Sequence, residues 1–142
     1  KPMSPIRIAL LLPVFAGLMA CAMPGAPGAT PNLVGTEWRL QDIGGAPALP
    51  EVQATLAFPE AGRVAGFSSC NRFFGTYTLV QDKVAFGQMG MTRMACMGPA
   101  GEQETRYMAA LQKAQTLRVD GSTLLIAVQG QDKPLRFARS KP

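Results

Sequence analysis

Histidine is absent from all 142 residues. Its absence removes the commonest general base, the commonest metal ligand and the usual activator of a nucleophilic serine or cysteine. Charge is sparse, at 16% of residues. No basic run is interleaved with aromatic residues, so nucleic acid is not an expected partner. Cysteine occurs three times, at Cys21, Cys70 and Cys96. No Cys-x-x-Cys spacing is present to suggest a redox motif, and with no histidine the ligands for a metal are too few. Ser68-Ser69 has no visible base beside it, and Gly44-Gly45 is too short for a phosphate-cradling loop. No internal repeat is found. These absences predict a protein that is not an enzyme and carries no cofactor or metal.

What is present begins with a leader. Lys1 and Arg7 give a basic start, and residues 8–18 (IALLLPVFAGL) are apolar. That run is too short to cross a hydrocarbon core of about 30 Å as a helix, and Pro13 and Gly17 weaken it further. Leu18-Met19-Ala20-Cys21 then resembles the lipobox of bacterial lipoproteins: an aliphatic residue, a tolerant position, a small residue and cysteine. The resemblance implies that residues 1–20 are a signal peptide and that Cys21 becomes the lipid anchor. At roughly 0.8 kcal/mol per buried methylene, three acyl chains on Cys21 hold a protein firmly to a membrane. An ordinary secretory signal with an incidental cysteine is the competing reading. No aspartate follows Cys21, a pattern similar to an outer-membrane address facing the periplasm. Residues 21–35 are rich in Pro, Gly and Ala and read as the lipidated cysteine and a flexible tether. Without Lys1 and Arg7 the chain holds 12 Lys+Arg against 9 Asp+Glu, a mild excess near +3.

From residue 36 short alternating segments are separated by turn signals. Strands are predicted at 36–42, 53–58, 63–67, 76–80, 84–86, 116–119, 123–128 and 135–138. Trp38 with Leu40, Leu56 with Phe58, Leu135 with Phe137, and the run Leu124, Ile126, Val128 each fall on one face. Asp120-Gly121-Ser122 is a strong turn signal. Residues 102–114 break the two-residue period and place Tyr107, Met108, Leu111 and Ala114 on a helical stripe. Glu102 and Glu104 at its start and Lys113 near its end suit the helix dipole, which accounts for the two acids without a catalytic pair. The predicted fold is α+β: a curved antiparallel sheet of about seven or eight short strands, partly open and barrel-like, with one helix inserted at about 102–114.

The densest stretch is Gly66-Phe67-Ser68-Ser69-Cys70-Asn71-Arg72-Phe73-Phe74-Gly75-Thr76-Tyr77. It is followed by Thr92-Arg93-Met94-Ala95-Cys96 and a helix opening on glutamate. With Trp38-Arg39-Leu40 near the start, this pattern resembles the META domain of HslJ-type proteins over about residues 33–139, and a META-like domain is expected over 36–142. Ser69 departs from it, since glycine usually precedes the cysteine; a positive φ there would strain Ser69. The resemblance implies an envelope or secreted domain, often a lipoprotein and linked to envelope stress, with no established enzymatic activity.

Cys70 and Cys96 are the cysteines left after the anchor. In an oxidising compartment they read as a disulfide ahead of two buried thiols. Asn71 is read either as a bridge of backbone groups in a sharp loop or as a ligand contact. Arg72 and Arg93 adjoin the cysteine loops and, if these meet, can receive an acidic group; solvated arginines are the plainer reading. Phe73 and Tyr77, with Phe67 and Phe74, are candidate walls of an apolar cleft. Met89, Met91, Met94 and Met97 suggest Cu(I) less than they suggest flexible core filling. Tyr107 reads as core. The expected function is a non-catalytic envelope lipoprotein supporting integrity or stress tolerance, in contact with the membrane through Cys21 and with other envelope proteins. The alternative is a periplasmic module that binds a small molecule, lipid or glycan.

Overall fold

The computed structural model describes Pro2 and residues 30–141, apart from the side chain of Lys141. The leader and Cys21 lie outside these residues. Ten strands and one helix follow in the order β1 (Thr36–Ile43), β2 (Ala46–Pro47), β3 (Thr55–Phe58), β4 (Arg63–Phe67), β5 (Arg72–Val80), β6 (Lys83–Phe86), β7 (Gly90–Met91), α1 (Pro99–Gln112), β8 (Ala114–Asp120), β9 (Thr123–Val128) and β10 (Leu135–Lys141). Eight of the strands form an antiparallel ring, β1-β3-β4-β5-β6-β8-β9-β10, and β10 pairs back onto β1. The expected partly open sheet is therefore a closed barrel. The β1–β10 register from Glu37↔Lys141 to Ile43↔Leu135 closes it, which removes the exposed edges an open sheet would present. β2 and β7 lie outside the ring, on β1 and β5. Each has two residues, too few to show a period in sequence.

Alternation does the packing. On β9, Leu124, Ile126 and Val128 point inward, and Leu135 and Phe137 do the same on β10. Trp38, Leu40, Leu56 and Phe58 continue this wall of the core across the adjoining β1 and β3. Trp38 is fully buried; its Nε1 donates to Thr36 Oγ1 at 2.8 Å, and the Arg139 guanidinium covers its ring at 4.5 Å. Asp42 and Arg136 pair at 2.6 Å across the β1–β10 seam, next to a register shift. Gly121, at φ 60°, takes the first position of the two-residue turn between Asp120 and Thr123, a place glycine fills without strain.

The helix begins three residues earlier than predicted, with Pro99 in its first turn, where the missing N–H costs nothing. It ends at Gln112, so Ala114 belongs to β8. α1 touches β1 and β6, which stand opposite one another in the ring, so it crosses the barrel and plugs it. Tyr107, Ala110 and Leu111 enter the core. Removing a side chain such as Leu111 costs about 2–5 kcal/mol.

The ordered domain also starts earlier than residue 36. Leu33 is buried in the core, its carbonyl accepts the Thr36 hydroxyl at 2.6 Å, and Gly35 N–H donates to Phe58 O at 2.8 Å. The expected tether thus gives up residues 30–35 to the barrel, because Leu33 is an apolar side chain with a core site to fill. The described core runs from Leu33 to Phe137 and the ring is closed. Residues 30–141 therefore enclose one complete hydrophobic core within the closed ring, as an independently folding domain does.

Candidate functional site

The motif stretch folds as a short loop, residues 68–71, leading into β5. Gly66, just before it, must be glycine: a Cβ there would lie 2.2 Å from Thr55 O and 2.7 Å from the Phe73 ring. Ser69 takes φ 93°, the positive value its departure from glycine foreshadowed. Its hydroxyl accepts from the fully buried Gln103 side chain at 2.7 Å, and Gln103 in turn accepts from Leu49 N–H at 2.8 Å.

Asn71 is the centre of the loop and is buried. Its Oδ1 accepts from Met94 N–H at 2.7 Å and from the Thr92 hydroxyl at 3.0 Å. Its Nδ2 donates to Met94 O at 3.2 Å and to Glu104 Oε1 at 2.9 Å. All four hydrogen-bonding positions of the amide are spent inside the protein. Thr92 N–H also donates to Arg72 O at 3.0 Å, and Phe73 and Phe74 pair with Met91 and Gly90. Segment 90–94 is thereby zipped onto 70–74. This register carries Cys96 to Cys70, and the two are joined in a disulfide with Cα atoms 6.0 Å apart.

Glu104 anchors the same loop to α1. Its Oε2 accepts the Ser68 hydroxyl and the Asn71 backbone N–H at 2.8 Å. Burial on its own would raise the Glu104 pKa. The hydrogen bonds from Ser68, from the Asn71 side chain and from the backbone N–H groups of Asn71 and Cys70 outweigh it, and the pKa falls below the ordinary value. Tyr107 is fully buried, and desolvation pushes its phenol well above the usual range; its hydroxyl donates to Thr55 O at 2.9 Å.

The residues proposed from sequence as a ligand set are divided. Phe73 is in the core, with its ring 5.9 Å from that of Tyr107. Tyr77 is half-buried, edge-on to Phe58 at 4.9 Å. The barrel interior between them is filled by core side chains. Arg72 and Phe74 are exposed on the other face of β5, where the Arg72 guanidinium lies over Phe67 at 4.8 Å. Asn71, Phe74, Thr92, Arg93 and Glu104 border an open depression of about 610 Å³. The methionines divide as well: Met89 and Met91 pack on the core, while Met94 and Met97 are exposed at 66% and 92%. Core filling thus holds for two of the four. The other two lie in the connection to α1, which carries few inward-facing positions.

Gln103 escaped the sequence reading, and so did the loop-binding roles of Ser68, read as a serine without a base, and Glu104, read as a helix-dipole acid. A signal was present: Gln103, Tyr107 and Leu111 are spaced by four, so the buried stripe extends back to the polar start of the helix.

Comparison with known proteins gives a consistent picture. Residues 31–142 match the family model described as META domain. No curated protein matches the chain. An NMR structure of a protein from Burkholderia xenovorans is similar at 29% identity, with a TM-score of 0.65 and 100% of each chain covered. A second NMR structure is 26% identical at a TM-score of 0.61, covering 75% of this chain and 90% of that one. The crystal structure of a DUF4847 family protein from Bacteroides vulgatus shares the fold, at 15% identity and a TM-score of 0.56 over 78% of this chain and 96% of that one.

Proposed function

The chain belongs to the META domain family, and from that membership we propose that it serves as a non-catalytic domain of the bacterial envelope, held to the membrane through Cys21 and supporting surface integrity under stress. The observation that carries this reading is how the motif is spent. Asn71, Glu104 and Ser68 satisfy one another and the backbone around them, and Cys70–Cys96 staples the same place. This use of polar side chains to build the loop supports an architectural role for the motif. Glu104 has a lowered pKa, whereas a general acid or base works best near neutrality. A disulfide in a domain of this size suits an oxidising compartment outside the cytoplasm. The envelope partners are other surface proteins, met by a rigid body on a lipid tether.

The test is genetic and chemical. Deleting the gene is expected to lower survival in heat and detergent. The wild-type gene restores survival and Cys21→Ser does not. Intact-mass measurement is expected to show a chain that begins at an acylated Cys21. Unimpaired survival in every envelope-stress assay would sink the functional half. A retained leader without fatty acid would sink the anchoring half.

A further inference from the structure

A second surface feature lies away from the motif. Where the end of α1 approaches the β1–β2 and β9–β10 turns, an open groove of about 700 Å³ is formed. Such a volume is in the range of small-molecule sites. Ile43, Ala109 and Ala110 make its apolar part. Arg106, Lys113 and Lys133 line it with a single acid, Asp132, which leaves an excess of two positive charges. Among the described residues, none of these three cationic side chains has an ion-pair or hydrogen-bond partner. Arg39, Arg72, Arg136 and Arg139 each engage a carbonyl, a ring or a carboxylate, while Arg63, Lys83, Arg93 and Arg118 resemble the groove cations in having no such partner among the described residues.

The cations come from two elements that face one another across the groove. Arg106 and Lys113 are seven residues apart along α1 and its C-cap, which sets their Cα atoms on one face, about 10 Å apart along the axis. Lys133 comes from the opposing turn, and its stem lies flat on Gly45. A Cβ at position 45 would fall 2.8 Å from Lys133 Cδ, and the Gly45 φ of 90° also calls for glycine. Gly44, at φ 60°, gives the same close approach to the Gln131 amide, with Oε1 3.0 Å from where its Cβ would be. The nearest buried acid, Asp42, is neutralised by Arg136 and does not cancel the cations.

We infer that this groove is an anion site. It takes a molecule bearing two phosphate groups on a small uncharged body, held among Arg106, Lys113 and Lys133. That chemistry occurs both in free sugar bisphosphates and in bisphosphate lipid headgroups. The inference is independent of the anchor at Cys21 and of the stress role.

The test uses residues 30–142, titrated with fructose bisphosphate and, separately, with phosphatidylcholine vesicles containing cardiolipin, at constant ionic strength. Amide resonances of Gly44, Gly45, Gln131 and Lys133 are expected to shift saturably. Arg106→Gln and Lys133→Gln each weaken binding roughly tenfold, and Arg63→Gln on β4 leaves it unchanged. Saturation by the soluble bisphosphate assigns a free ligand, and saturation by the vesicles alone assigns a headgroup. Circular dichroism and thermal unfolding establish that the variants are folded. Absence of a saturable shift with either probe, or equal binding by the folded Arg106→Gln/Lys133→Gln double variant, overturns the site.

Discussion

The Glu104 carboxylate receives two hydrogen bonds from Asn71 alone, one from its backbone N–H at 2.8 Å and one from its side-chain amide at 2.9 Å. This one contact joins the motif loop to the helix that plugs the barrel. Ser68 adds a third donor. Both carboxylate oxygens therefore face donors, and neither position accepts an NH₂ group without a clash of donors.

Glu104→Gln is accordingly expected to cost about 2–3 kcal/mol, close to the cost of Glu104→Ala, because either change leaves donors of the loop unmatched. Urea unfolding of residues 30–142 measures it. A loss below half a kcal/mol in both variants (about that size being ordinary for surface substitutions) would remove Glu104 from the framework.

The same carboxylate predicts a pH dependence. Its pKa in the folded protein is lowered, so the unfolded state binds the proton more tightly. The contribution is complete above the unfolded value of about 4.3, begins to fade there, and is lost as pH falls through the lower folded value. The urea midpoint should drop with acidification across that window. Glu104→Gln should flatten this part of the curve while leaving the remaining acid sensitivity in place.

The Cys70–Cys96 link encloses a separation of 26 residues. Chain entropy makes it worth about 3.5 kcal/mol. Residues 30–142, denatured without reductant, should yield no titratable thiol. The Cys70→Ala/Cys96→Ala pair should unfold at lower urea by that order. Two free thiols in the unreduced protein would contradict the bond.

Ser69 combines strain with a useful hydroxyl. At φ 93° a side chain is disfavoured, yet its oxygen satisfies the buried Gln103 amide. Ser69→Ala keeps the strain and loses the bond, and should cost about 1–3 kcal/mol. Ser69→Gly loses the bond and releases the strain. It should exceed Ser69→Ala in stability by about 1–2 kcal/mol. Equal stabilities, measured by thermal or urea unfolding, would mean that the backbone at position 69 is relaxed.

Much of this architecture was legible in the residues alone. The eight ring strands were all recognisable, because inward and outward positions alternate with a period set by the peptide geometry itself. Leu124, Ile126 and Val128 show this most clearly, and the four-residue spacing of Tyr107 and Leu111 likewise marks the helix. The cysteine pairing followed from the two cysteines left after Cys21 and an oxidising compartment, and the unusual backbone at Ser69 from one departure from a family pattern. Only the folded chain decided what lies far apart in sequence. Closure of β10 onto β1, the use of Glu104 by a loop 33 residues away, and the meeting of Lys133 with Gly45 depend on which surfaces the barrel brings together. Local pattern reports which way a side chain faces along its own strand or helix. It carries no record of the distant group that side chain will meet, because that partner is chosen when the strands register and the ring closes.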